Sequence, residues 1–230
     1  MSALNELASL LGLKTTPKYI EAYDISNWGD TAKVGGMIVF ENGRPLRSDY
    51  KRFAIKEIAT QDDYASMKEV VRRRYTRMIN EDTPLPNLII ADGGKGQMEV
   101  IREIVEDELN LEIPIAGLAK NEHHKTNELL FGFPQMSIGL RLDSALFHML
   151  THIQDEVHRF AITFHRDKRS KRQTASELDT ITGIGPKTKE LLLKEFKSLT
   201  RIKKATLEEL QKCIGESKGN TLFAYLNRQE

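Results

Sequence analysis

Hydrophobic positions along the first third of the chain change from a helical period to strand patterns. Apolar residues recur at helical spacing in residues 3–13, which predicts a short amphipathic helix. The strand-like segments that follow span residues 19–25, 34–40 and 49–55. Because Asn42-Gly43 is a hairpin turn signal, we expect the three strands to be antiparallel neighbours.

Helical and strand patterns then alternate up to residue 166. The pattern predicts a helix over 62–79 capped by Asp62, a strand at 88–91, a helix at 98–109, a strand at 113–118, a hairpin over 128–142 and a long helix over 144–166. This order is typical of an α/β domain, a mixed sheet with flanking helices.

The composition changes after this last helix. Residues 166–172 read RDKRSKR, and the rest of the chain has short helical patterns punctuated by glycine. We therefore predict a second, small all-α domain. The expected divisions are 1–16 for an N-terminal helix and linker, 17–165 for the α/β domain, 166–176 for a basic linker and 177–230 for the helical domain.

Composition and charge exclude several classes of protein. With 40% hydrophobic and 29% charged residues among 230, the chain can bury a core, so disorder as a whole is excluded. It has no apolar run of about 18 residues and no signal peptide pattern, so we expect no membrane contact. The single cysteine, Cys213, fits a reducing cytoplasm.

Two aspartates lie at positions in predicted strands that suggest a functional role. Asp24 interrupts an apolar strand, where a buried carboxylate needs a partner, although it could also face solvent from an edge strand. Asp92 ends the strand at 88–91 and precedes Gly93-Gly94-Lys95-Gly96, at the strand end where open α/β sheets place their sites. It could equally be a plain helix cap. The glycines match neither GxxxxGK[ST] nor GxGxxG, which argues against a nucleotide-binding enzyme.

A histidine on the long helix completes a possible metal site. His158 lies three residues after Asp155 and seven before His165, so the three share one helix face. Two aspartates and one imidazole suit Mg²⁺ or Mn²⁺ better than a structural zinc. Lys95 could steady a phosphate oxygen. We interpret His123-His124 as part of a basic loop.

The C-terminal segment has the pattern of a phosphate-binding hairpin. Gly183-Ile184-Gly185-Pro186 leads into a helix with Lys187, so backbone amides and the helix N-terminus could receive a DNA phosphate. An imperfect repeat contains Gly215, Ser217 and Lys218, with Glu216 at the tip. The basic run adds the further DNA-binding candidates Arg166, Lys168, Arg169, Lys171 and Arg172.

Six motifs, in this order, resemble the C-terminal half of the UvrC family over nearly the whole chain. They are EAYDISN, DDYASMKEVVRRRY, LIIADGGKGQ, GLAK, DEVHRFAITFHRDKRSKR and TITGIGPKTKELLL. UvrC is the incision subunit of the bacterial UvrABC excinuclease of nucleotide excision repair. The resemblance implies an RNase H-like endonuclease domain followed by a tandem helix-hairpin-helix domain.

The resemblance also implies roles for individual residues. It makes Asp24, Asp92 and His158 the catalytic trio, with Asp62 and Asp63 of the DDYA motif in support. Where the family commonly reads DISH, this chain has Asn27, so a histidine role there is lost or passes to the amide. A GIY-YIG nuclease domain and a segment that contacts UvrB are missing upstream, so we expect an excised fragment or a naturally short relative.

The expected function is a metal-dependent DNA endonuclease that makes the 5′-side incision on damaged or bubble duplex DNA, with UvrB as partner. His158 is either a metal ligand or the general base. The alternatives are a structure-specific junction nuclease or ribonuclease of the same fold, and a catalytically silent DNA-binding module.

Overall fold

The computed structural model describes residues 2–28, 32–55, 62–120, 126–179 and 181–227. The helices are α1 (Ala3–Leu10), α2 (Asp63–Asn80), α3 (Lys95–Arg102), α4 (Ala145–Asp179), α5 (Pro186–Phe196), α6 (Leu199–Lys204), α7 (Leu207–Ile214) and α8 (Glu216–Leu226). The strands are β1 (Tyr19–Trp28), β2 (Ala32–Glu41), β3 (Arg44–Pro45), β4 (Lys51–Ala54), β5 (Leu88–Asp92), β6 (Ile115–Lys120), β7 (Thr126–Phe131) and β8 (Met136–Ile138).

Most predicted elements appear with shifted ends. The third predicted strand, residues 49–55, corresponds to β4, and the short strand β3 and a 3₁₀ turn at Arg47–Asp49 precede it. The helix predicted at 98–109 begins earlier, at Lys95, and its second half is a π-helical turn, Glu103–Glu108. Asp62 does cap α2, since its side chain accepts a hydrogen bond from the backbone N–H of Tyr64.

The strands form one mixed sheet in the order β3-β2-β1-β5-β6-β7-β8, with β4 also paired to β2. β1, β5 and β6 are parallel to one another, and the outer pairs are antiparallel. Because the three central strands run in the same direction, their carboxyl ends meet at one edge of the sheet. That edge is where an open α/β sheet places its ligands.

Helices cover both faces of the sheet. Alternation along β1 sends Tyr23 into a core with α2 and α3, and sends Ile20 and Ala22 into a core with α1 and α4. The two faces of β5 divide in the same way, with Ile89 on the α2 side and Ile90 on the α4 side. Each such fully buried aliphatic side chain stabilises the fold by about 1.5–3 kcal/mol.

A buried ionic cluster joins α2 to β1. The carboxylate of Glu21 is fully buried, and it accepts hydrogen bonds of 2.7 Å from the Arg74 guanidinium and from the hydroxyls of Tyr23 and Tyr75. Breaking a buried pair of this kind by removing one partner costs about 3–5 kcal/mol. The cluster therefore fixes α2 on the sheet.

The long helix α4 continues to Asp179. The sequence patterns instead predict that it ends near residue 166 and that a linker spans 166–176. The charged run looked like a boundary because it has no apolar stripe. It contains neither glycine nor proline, however, and Arg, Lys, Gln, Ala, Glu and Leu are good helix formers, so nothing stops the helix there.

The chain divides into two compact units, residues 1–163 and 164–230. The second unit is all-helical, with its own core, which contains Leu178, Ile184, Leu192, Ile202, Leu210 and Leu222. Over the ranges described above, no helix is both long enough and apolar enough to cross a membrane.

Candidate active site

The parallel pair β1 and β5 places two aspartates side by side. The register pairs Tyr23 with Ala91, so Asp24 and Asp92 are the next residues on adjacent strands. Both lie on the face of the sheet that α4 covers, since they continue the alternation of Ala22 and Ile90. Their side chains are 12% and 10% exposed. The sheet therefore holds two nearly buried carboxylates at its functional edge.

α4 brings a histidine to this pair. The Nδ1 atom of His158 lies 3.1 Å from Oδ2 of Asp24 and 4.0 Å from Oδ2 of Asp92. The close approach of helix and sheet depends on Gly36, which faces Asp24 across the β1–β2 ladder. A Cβ atom at Gly36 would stand 3.0 Å from the Cβ of Ala161, so a larger residue there would push α4 outward.

A buried glutamine orients Asp92. The side-chain amide of Gln154 on α4 donates a hydrogen bond of 2.7 Å to Oδ1 of Asp92 and one of 3.2 Å to the carbonyl of Leu118. Gln154 is 1% exposed, so these contacts are made away from water. Sequence reasoning missed this residue. Its one signal was a polar side chain one turn before His158 on the helix.

The charges around the site perturb both carboxylates. Burial and the neighbouring Asp92 raise the pKa of Asp24 to about 7, against the hydrogen bond with His158, which lowers it. Burial also raises the pKa of Asp92, while the hydrogen bond from Gln154 and the positive charge of Lys120 lower it. Lys120 ends β6 and acts on both aspartates. The sequence patterns give Lys120 no role of its own, since it is simply the last residue of the GLAK motif.

The donor set suits a hard divalent cation. One ligand atom from each of Asp24, Asp92 and His158 lies within 4.8 Å of the other two. Two carboxylates this close repel one another when both are ionised, and a cation between them would remove that cost. Oxygen ligands with one imidazole match Mg²⁺ or Mn²⁺. These three residues could therefore hold the metal.

The three supporting candidates lie in different settings. Asp155 is exposed on α4, and its charge raises the pKa of Asp92. Lys95 is exposed at the first position of α3. Asp63 is the first residue of α2 and forms an ion pair of 2.7 Å with Lys33, so its carboxylate is engaged by a lysine.

The hairpin glycines of the second unit have different backbone requirements. Gly183 has φ +91° and Gly215 has φ +88°, conformations that favour glycine, whereas Gly185 caps α5 with φ −86°. Lys187 is exposed in the first turn of α5. At the second hairpin Ser217 is exposed, and Glu216 is the first residue of α8.

Lys218 makes a contact that the sequence could not predict. Its ammonium group donates a hydrogen bond of 3.0 Å to the hydroxyl of Thr188, which lies on α5 of the first hairpin. Lys218 therefore links the two hairpins to each other within the second unit.

Two groups of candidates lie beyond what the structure describes. His123 and His124 fall in residues 121–125, outside the described residues. The basic residues of α4 belong to the helix, but their side chains are outside the described part of the chain: Arg166, Lys168, Arg169, Lys171 and Arg172.

Comparison with known families gives two matches. Residues 8–162 match the UvrC RNAse H endonuclease domain, and residues 175–223 match the SAM-like helix-hairpin-helix tandem. The predicted fold class is confirmed: an RNase H-like mixed sheet with flanking helices, followed by a helical helix-hairpin-helix region.

Curated relatives carry one name. The UvrABC system protein C of Bacteroides thetaiotaomicron is 60% identical over 229 residues, which are 100% of this chain and 38% of that protein. The protein of the same name from Bacteroides fragilis is 59% identical over 96% of this chain and 36% of its own length. That of Streptococcus equi subsp. zooepidemicus is 50% identical over 97% and 38%. The chain thus spans little more than a third of these relatives.

Solved structures give weaker similarities. Human ENDOV has a TM-score of 0.38 at 7% identity, over 66% of this chain and 86% of that one. Ciona intestinalis Endonuclease V, in complex with a DNA containing an inosine followed by a ribo-adenosine, has a TM-score of 0.39 at 9% identity, over 67% and 87%. Scores this low support no functional assignment.

Proposed function

The chain belongs to the family of UvrC RNase H endonuclease domains, and on that premise we propose that it is a divalent-metal-dependent DNA endonuclease. The reaction we propose is hydrolysis of one phosphodiester on the 5′ side of a lesion during nucleotide excision repair. The single observation that carries the proposal is the cluster of Asp24, Asp92 and His158 at the carboxyl edge of the sheet.

In this proposal the two aspartates hold Mg²⁺ or Mn²⁺. When bound, such a cation polarises the scissile phosphate and lowers the pKa of a water molecule. The carboxylate of Asp92 is held in one orientation by the hydrogen bond from Gln154. This preorganisation reduces the rearrangement needed when the substrate arrives.

His158 is proposed as the third ligand, through Nδ1. Nδ1 is the ring nitrogen that faces both carboxylates. Lys120 and Lys95 are the cations proposed to contact the phosphate oxygens. Lys120 has the stronger support, because its charge acts on both aspartates.

We further propose that the helix-hairpin-helix region holds DNA without reading its sequence. The amides of the Gly183–Gly185 turn and the N-terminus of α5 can receive a backbone phosphate, and Lys187 adds positive charge beside them. The proposed substrate is damaged or bubble duplex DNA, and the proposed protein partner is UvrB. The second hairpin would contribute less, because Glu216 opens α8 with a negative charge.

Substitution of the aspartates tests the proposed activity. Asp24→Asn and Asp92→Asn should each reduce Mn²⁺-dependent cleavage of a bubble duplex at least about a hundredfold, because metal catalysis supplies several kcal/mol. DNA affinity, measured by anisotropy without divalent cations, should stay within a few-fold of the unsubstituted chain. Asp143→Asn is the matched control, since Asp143 is exposed and paired with Arg141.

The pattern of substrates separates the rival functions. Preferential cleavage of an RNA–DNA hybrid would favour a ribonuclease, and cleavage of branched junctions would favour a junction nuclease. If the intact chain cleaves and the two variants cleave equally well, the proposed metal site is wrong. A chain that binds DNA but cleaves none of these substrates in Mg²⁺ or Mn²⁺ would favour the silent binding module.

A further inference from the structure

A basic pocket lies beside the candidate active site on the same face of the sheet. Its cavity of about 520 Å³ is lined by Arg47, Tyr50, Arg52, Arg159, Phe160 and Thr163, hereafter the arginine pocket. Three guanidinium groups therefore meet in one groove of the first unit. None of these six residues belongs to the metal cluster.

The groups in the arginine pocket are held in place before any ligand arrives. The Arg159 guanidinium donates two hydrogen bonds to the carboxylate of Glu156, at 2.7 and 2.8 Å. Tyr50 donates to the same carboxylate at 3.1 Å. The Arg52 guanidinium lies 4.3 Å from the ring centroid of Phe160, a cation–π contact. Such preorganisation lowers the entropic cost of binding.

The lining of the arginine pocket is basic. Its described lining residues include three arginines and no aspartate or glutamate, and Glu156, with 7% of its side chain exposed, pairs with Arg159 and Arg47. Arg47 comes no closer than 4.0 Å to that carboxylate, and its side chain is 77% exposed. Guanidinium groups match the geometry of phosphate oxygens, which makes a phosphodiester a suitable ligand.

The pocket is close to the metal cluster. Across the sheet, Asp24 pairs with Gly36 on β2, and Gly36 pairs with Arg52 on β4. At about 4.8 Å per strand, the Arg52 backbone stands roughly 10 Å from that of Asp24, a distance that a DNA strand covers within a few nucleotides. On α4, Arg159 and Phe160 directly follow His158.

We propose that the arginine pocket binds a backbone phosphate of the DNA strand, a few nucleotides from the phosphodiester held at Asp24 and Asp92. This inference rests on the proposed nuclease function, whose substrate it extends beyond the scissile bond. A backbone phosphate fits better than a stacked base, because Phe160 already has Arg52 on its face and Tyr50 packed edge-on at 5.1 Å.

A salt series on the full chain tests the proposal. The double variant Arg47→Gln, Arg52→Gln should weaken binding to a fluorescein-labelled bubble duplex, without divalent cations, by about tenfold. The slope of log affinity against log salt should fall by about 1 to 2, because two guanidinium groups no longer contact the DNA backbone. Arg159 is left in place so that Glu156 keeps its partner.

The matched control removes the same charge elsewhere. Arg72 and Arg77 lie on α2, on the opposite face of the sheet, where they pair with Glu108 and Glu81. The variant Arg72→Gln, Arg77→Gln should therefore keep the slope of the unsubstituted chain. Arg47→Gln alone guards against misfolding, because this exposed side chain contributes little packing, and it should lower the slope by about 1.

Neutralising one phosphate at a time locates the contact. Each phosphate of the strand is replaced in turn by an uncharged methylphosphonate. At one position the replacement should weaken binding of the unsubstituted chain but leave binding of the double variant unchanged. Equal slopes for the double variant and its control would overturn the inference. Binding of an acidic peptide, instead of DNA, in the arginine pocket would also overturn it. Because these are binding measurements, the inference can fail while cleavage persists, and can hold if the cleavage proposal fails.

Discussion

At the scale of single residues, the proposed metal site depends on Asp24, whose environment disfavours the charged form of the carboxyl group. Burial and Asp92 raise its pKa to about 7, so the carboxyl is largely protonated below that pH in the metal-free chain. A divalent cation binds the ionised form, and so must displace a proton there.

Metal affinity should accordingly depend on pH. By isothermal titration, Mn²⁺ affinity should rise by up to about tenfold per unit as the pH increases toward 7 and should level off above it, with proton release. The direction follows from the raised pKa, since a group protonated at low pH must lose its proton to bind metal. Asp143→Asn should keep this dependence, and Asp24→Asn should weaken it. A flat profile between pH 6 and 8 in the unsubstituted chain would contradict the role of Asp24.

Sequence patterns could predict Asp24 and Asp92, because Asp24 interrupts an apolar strand and Asp92 ends one just before a glycine-rich turn. They could not predict Gln154, Lys120 or the arginine pocket. Those groups come from separate elements, and only the register of the sheet and the placement of α4 bring them together. Lys218 is a similar case, since its partner Thr188 belongs to the other hairpin.

At the scale of elements, the two hairpins of the second unit should respond differently to substitution. Gly185 has backbone angles open to any residue, and a Cβ atom there meets nothing within 4 Å. Gly215, which ends α7 and caps α8, has φ +88°. Side chains at such angles cost about 1–3 kcal/mol.

Valine at each position separates a DNA contact from a folding requirement. Gly185→Val should leave thermal stability within about 1 kcal/mol but weaken DNA binding, since its side chain would obstruct the amides of the turn. Gly215→Val should lower the melting temperature, with a smaller direct effect on DNA affinity in protein that remains folded. Unchanged DNA binding by Gly185→Val would mean that this turn packs against protein instead of DNA.

The boundary of α4 marks the limit of pattern reading for elements. The apolar stripe extends to Phe164, and beyond it the charged run gives no periodic signal, although its residues favour a helix. The sequence pattern also could not predict the π-helical turn at Glu103–Glu108, because its residues fit an ordinary helical period.

At the scale of the whole molecule, each unit has its own hydrophobic core, and the chemistry proposed here lies entirely in the first. Asp24 and Asp92 come from neighbouring parallel strands, and His158 comes from the helix that covers them. The central claim is therefore that this one edge of the sheet holds a catalytic divalent cation.

Crystals of the chain soaked in Mn²⁺ would test that claim most directly, by anomalous scattering. We expect a peak between the carboxylates of Asp24 and Asp92 and Nδ1 of His158, at about 2.0–2.3 Å from each ligand atom. The peak should be lost in crystals of Asp92→Asn. The proposed metal site would be wrong if, at a Mn²⁺ concentration that supports cleavage, the manganese peak lay elsewhere and these three side chains bound no metal.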